Sequence, residues 1–156
     1  MPNVPDTLLL LAFGLAFYTL GASVIEGFVN YRTWHWVGSE RFRDYHRAIG
    51  PRIVACLVAP FGVGVLLTAA LIMWRPPTIP LWPILISLAL NSVAIVVTLG
   101  WQLPTQLRFD RDGWSDAAIA QLISVEWFRF VPHVLNALLF LWLIGRLLAG
   151  QRGLAL

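Results

Sequence analysis

Apolar positions come in four long blocks separated by polar stretches. The first runs uncharged from Thr7 to Ile25 and continues past Glu26 to Tyr31, and the second runs from Ile53 to Trp74. The third lies within the uncharged stretch 76–107, and the fourth, from Trp127 to Gly150, is interrupted by Arg129 and Arg146. A helix needs about 20 residues to cross about 30 Å of hydrocarbon. Spans are therefore predicted at about 7–31, 49–74, 81–103 and 127–149. The uncharged core of the fourth, 130–145, is the shortest, and snorkelling by Arg129 and Arg146 extends it.

The links between blocks are unequal. The second, 75–80, is a proline-stiffened hairpin, whereas the first (32–48) and third (104–126) are long enough to carry structure of their own. Ser39 can cap a short helix with Phe42, Tyr45 and Ile49 on one face, and Ser115 another with Ile119, Leu122, Ile123 and Glu126. The prediction is one all-α domain, 1–156, a membrane four-helix bundle with interfacial helices in loops 1 and 3.

Composition sharpens this reading. Hydrophobic residues make up 58% and charged residues 12% of the 156, with a mean hydropathy of +0.73. A soluble domain carries about 25% charged residues, so a lone soluble domain is excluded. Single Cys56 excludes an internal disulfide and any CxxC motif. The net charge of +3 does not indicate nucleic acid, because the eleven basic residues, all Arg, lie between the apolar blocks. Eight of them (Arg32, Arg41, Arg43, Arg47, Arg52, Arg108, Arg111, Arg129) fall on the loop 1 and loop 3 side, against Arg75, Arg146 and Arg152 opposite. The positive-inside rule then places both termini outside and loops 1 and 3 in the cytoplasm, in a bacterial-type inner membrane. The start Met-Pro-Asn-Val-Pro-Asp lacks the basic region of a cleavable signal, so the first helix is expected to be retained.

Polar residues inside the spans are the candidates for function, because lipid cannot satisfy them. At four-residue spacing, the first helix offers Gly14, Tyr18, Ala22, Glu26 and Asn30, and the second Arg52, Cys56, Pro60, Gly64 and Thr68. The third offers Ser87, Asn91, Thr98 and Gln102, and the fourth Glu126, Arg129, His133 and Asn136. Glu26, Arg52, Thr98, Gln102 and His133 share the cytoplasmic half of the bilayer, with His35, Glu40, Asp44 and His46 just below. A polar pocket opening toward the cytoplasm is predicted, with Glu26, His46, Arg52 and His133 as catalytic candidates. Asn30, Trp34, Thr98, Gln102 and Asn136 are the substrate-binding candidates.

Each has a plainer reading beside it. Glu26 with Arg52 or Arg129 could be a buried ion pair that sets register, and His133 a packing residue. His35 and His46 could be solvated or contact headgroups, and Asn91 and Asn136 could be interhelical glue. Glu26, His46 and His133 would be the ligands of a two-His-one-carboxylate iron site if a metal were present, but no HxxxH or ExxH pair supports one, and no cofactor is expected. There is no GxSxG, phosphate loop, EF-hand or dinucleotide fingerprint. What remains is acid/base work on an apolar substrate entering from the lipid.

The string Val29-Asn30-Tyr31-Arg32-Thr33-Trp34, followed by Phe42, Tyr45-His46 and Arg52-Ile53, resembles the anthrone oxygenase-like family of small four-helix membrane proteins. Trp34, His46 and Arg52 match its pattern, Arg32 stands where the family often has Pro, and Glu126-Trp127-Phe128-Arg129 before the last helix also fits. The resemblance implies oxygenation of an anthrone to an anthraquinone without an obvious cofactor. It implies His46 and Glu26 as proton acceptors and Arg52 as the stabiliser of an enolate-like anion.

Two functions follow as expectations. One is an oxygenase-like or acid/base enzyme acting on a lipophilic aromatic small molecule. The other is a non-enzymatic accessory subunit of a larger membrane complex, or a homo-oligomer, binding lipid or pigment. A transporter is disfavoured by the lack of an inverted repeat.

Overall fold

The computed structural model describes residues 3–153. Residues 1–2 and 154–156 of the expected domain, and the side chain of Arg152, lie outside the described residues. Four helices are long and apolar enough to cross a membrane: α1 (Val4–Trp36), α2 (Ser39–Ala70), α3 (Leu81–Asp112) and α4 (Asp116–Gly150). No strand occurs among the described residues. This is the all-α four-helix architecture of a multi-pass membrane protein.

Local chemistry sets the ends. Asn3 caps α1 by accepting the Asp6 amide at 2.9 Å, and Pro5 sits in the first turn, where no amide partner is missed. The Ser115 hydroxyl accepts the Ala118 amide at 3.3 Å and caps α4 as expected. Ser39 does not cap α2. It is the first helical residue, and Gly38, at φ +81°, occupies the cap position. Gly113, at φ +80°, makes the corresponding turn between α3 and α4. The helices expected inside loops 1 and 3 are formed, but they are continuous with the spans. What remains as connection on that side is 37–38 and 113–115. Helices of 32 to 35 residues are about 50 Å long, so they project well beyond the hydrocarbon.

Three helices carry a π-helical segment in the half nearest these short turns: Ile25–Asn30 in α1, Val54–Val58 in α2 and Thr98–Gln102 in α3. Two have an evident cause. Pro60 and Pro104 each follow a π segment by two residues, and a proline ring clashes with the carbonyl four residues earlier. In α2 that carbonyl belongs to Cys56, and the Tyr18 hydroxyl donates to it at 2.8 Å. A hydrogen bond lost within α2 is thus replaced by one from α1. A π segment inserts a residue into the turn, so it also rotates the buried face. On α1 the buried line runs Ala12, Ala16, Thr19, Ser23, then both Glu26 and Gly27, then Tyr31 and Trp34.

The interior is layered. One apolar core, including Leu9, Leu71, Ile84, Phe140 and Leu143, fills the half around the 71–80 connection. An aromatic core of Tyr31, Trp34, Phe42 and Phe109, with Leu122, fills the opposite end. Between them lies a polar layer of buried side chains from all four helices. Around the ring α1 packs closely on α2 and α4, and α3 on α4, but α2 and α3 touch much less.

Candidate functional site

The polar layer contains two carboxyl groups and one guanidinium. Glu126 on α4 accepts from Gln102 Nε2 at 2.6 Å, from Arg129 Nη2 at 3.2 Å and from the Ser23 hydroxyl at 3.5 Å. Arg129 Nη1 donates to the Thr98 hydroxyl at 3.4 Å, while its Nε is buried without a partner among the described residues. Glu26 accepts from Asn30 at 2.6 Å, faces the Tyr31 hydroxyl, and lies close enough to feel the charge of Arg129. Gly27 makes this approach of α1 to α4 feasible, since a β-carbon there would stand 2.6 Å from Glu126 Cγ.

A second polar string leads to the end with the short turns. Gln106 donates to Tyr31 at 3.3 Å and its carbonyl oxygen is 2.5 Å from His46 Nε2, whose Nδ1 lies 2.8 Å from Asp110. Trp34 packs edge-on against His46, and its buried indole nitrogen has no partner among the described residues.

A cavity of about 450 Å³ opens between α2 and α3, where the ring is loosest. Its wall is apolar, with Leu57, Phe61, Val65 and Ala94 among the lining residues. Val58, Leu66 and Leu99 at its mouth are exposed on the outer face of the bundle, where lipid would lie. Polar groups are confined to Thr19, Thr98, Arg129 and His133. This is the pattern of a small-molecule site: apolar walls with a few convergent polar groups. The His133 ring is 6% exposed and packs edge-on against Phe61 at 5.4 Å, yet neither nitrogen is hydrogen-bonded by any described residue.

The sequence-predicted residues therefore divide. His133 and Thr98 line the cavity, and Arg129 connects it to Glu26, Asn30 and Gln102. Asn136 accepts from Ser87 at 2.6 Å, deeper in the bundle. His46 and Trp34 belong to the aromatic end, away from the cavity lining. Arg52 stands apart: it is exposed, and its guanidinium donates to the Ala48 carbonyl of its own helix. Nor do Glu26, His46 and His133 assemble as a ligand set, since no group of three His, Cys, Asp or Glu able to hold a metal occurs among the described residues.

Arg129 and Glu126 stand in the fourth helix's predicted polar stripe, Arg129 there only as an ion-pair partner for Glu26, and Gln106 and Asp110 lie outside the four predicted stripes. The signal was available for the latter pair, since Thr98, Gln102, Gln106 and Asp110 continue one four-residue stripe past Pro104. Comparison with protein families, with curated proteins and with solved structures finds no match.

Proposed function

We propose that the protein is an oxygenase-like membrane enzyme that takes a lipophilic aromatic substrate from the bilayer through the α2–α3 opening. The observation carrying this reading is the unpartnered His133 imidazole beside Arg129 at the polar end of an otherwise apolar cavity. His133 accepts a proton from an acidified ring C–H. The charge moves onto a substrate oxygen held by Arg129, a preorganised donor in a dry site, beside Thr98, whose hydroxyl donates to the Ala94 carbonyl at 2.8 Å. The carbanion adds dioxygen and regains the proton as a hydroperoxide. Loss of water, which removes the second C–H proton, leaves a carbonyl. One CH₂ and one O₂ thus give one C=O and one H₂O. The resemblance at 29–34, 45–46 and 52–53 implies the same overall reaction but gives the base to His46 and Glu26 and the anion to Arg52, which do not line the cavity; in this reading those roles pass to His133 and Arg129. Glu26, Asn30, Gln102 and Glu126 position Arg129.

Anthrone is the probe. Protein in lipid nanodiscs under air is expected to form anthraquinone with matching O₂ uptake, faster than empty discs. A rate equal to empty discs, with a stoichiometric partner in every preparation, would point instead to an accessory subunit.

The Arg distribution supports outside termini and cytoplasmic turns at 37–38 and 113–115. A phosphatase fused after Leu156 is expected to be active and one fused at Gly113 inactive; the reverse pattern sinks this topology.

A further inference from the structure

Beyond His133 the site continues. Asn91 on α3 is 4% exposed, and its carboxamide makes no hydrogen bond to any described residue. Among the described residues the sealed side-chain polar atoms without a partner are Trp34 Nε1 and Arg129 Nε, so the Asn91 amide is not sealed; it opens onto a void, where in the middle of a span water or a ligand completes it. Its neighbour Asn136 uses its oxygen for the Ser87 hydroxyl, and no described group accepts from its Nδ2. Asn91, Asn136 and Thr68 line a void of about 10 Å³, space for a single oxygen atom and no ring. The void adjoins the larger cavity at His133, which lines both.

The spacing of the two polar ends follows from the helices that carry them. Asn91 and Thr98 are seven residues apart on α3, as are Arg129 and Asn136 on α4. At about 1.5 Å per residue both pairs are separated by about 10 Å along the bundle axis. His133 falls between Arg129 and Asn136 on α4. A ligand bearing one oxygen would meet Arg129 and leave the Asn91 amide facing an empty void.

We infer that the substrate is two-headed: an apolar aromatic body with a hydrogen-bonding oxygen at each end, about 10 Å apart, one held by Arg129 at the level of Thr98 and the other by Asn91 and Asn136. This rests on the reading of the cavity as a substrate site and adds the second anchor. The reacting carbon then lies between the anchors, opposite His133.

The test compares 4,4′-dihydroxybiphenyl, whose oxygens stand at about this spacing, with 4-hydroxybiphenyl. Both are titrated into nanodiscs carrying the protein, each referenced to its partition into empty discs. The diol is expected to bind about tenfold tighter, the scale of one additional buried hydrogen bond. Asn91→Leu is expected to remove that advantage, bringing the two compounds to equal affinity on the variant. Equal affinities on the wild-type protein overturn the inference even if Asn91→Leu fails to fold. So does an advantage that survives the substitution; in either case the void holds water only. If neither compound binds above empty discs, the reading of the cavity as a substrate site falls, and the second anchor with it.

Discussion

Arg129→Met is expected to lower the stability of the bundle by about 3–5 kcal/mol, the cost of leaving a buried carboxylate without its counterion. Arg129 is the cation paired to Glu126 at 3.2 Å and the cation whose charge reaches Glu26, and both carboxyl groups are under 5% exposed. Gln102 and Ser23 would still donate to Glu126, but neutral donors do not balance a charge in a layer bounded by apolar and aromatic cores. The effect belongs to the charge and not to the volume, so Glu126→Gln in the same chain is expected to restore most of the loss. Glutamine keeps an oxygen for Gln102 and removes the stranded charge. Unfolding of the purified protein by a denaturing detergent, followed by far-UV circular dichroism, measures both variants. A single variant within about 1 kcal/mol of the wild type would show that Arg129 is no structural counterion. A double variant no better than the single would place the loss in packing.

How far these residues could be found from the chain alone depended on where the helices depart from regular geometry. The four spans, their polar layer and the Ser115 cap follow from apolar block length and helical spacing, which need only local information. Straight four-residue counting also put Tyr18 and Arg52 in line with Glu26 and Thr68 respectively. Both are exposed: at 3.6 residues per turn a strict four-residue count drifts off the face, which takes Tyr18 off the Thr19, Ser23 and Glu26 line, and in α2 the π segment at Val54–Val58 shifts the phase further between Arg52 and Thr68. Pro60 and Pro104 announce two of the π segments, whereas no proline marks the one in α1. A third span of 81–103 leaves Gln106 and Asp110 in the loop, whereas the helix runs on through Pro104, which sits in the first turn after a π segment, to Asp112. The cavity had no local signal. It exists because α2 and α3 pack loosely on each other, a property of the whole ring of helices.

His133→Gln should do the opposite of Arg129→Met: it should leave the fold intact and remove the chemistry. No described residue hydrogen-bonds the His133 ring, so replacing it orphans no partner, and stability is expected to stay within about 1 kcal/mol of the wild type. Its contribution as a positioned base is worth about 10²- to 10⁴-fold. Anthraquinone formation from anthrone in nanodiscs is therefore expected to fall by about that factor, with KM changed only a few-fold because the apolar wall and the Arg129 donor remain. His133→Ala opens space beside Phe61, and added imidazole should return part of the rate in that variant alone. Each result separates two roles. A packing histidine would cost stability and respond to no added base. A base delivered by Glu26 or His46 instead would leave the His133→Gln rate near that of the wild type, and that outcome would move the chemistry out of the α2–α3 cavity.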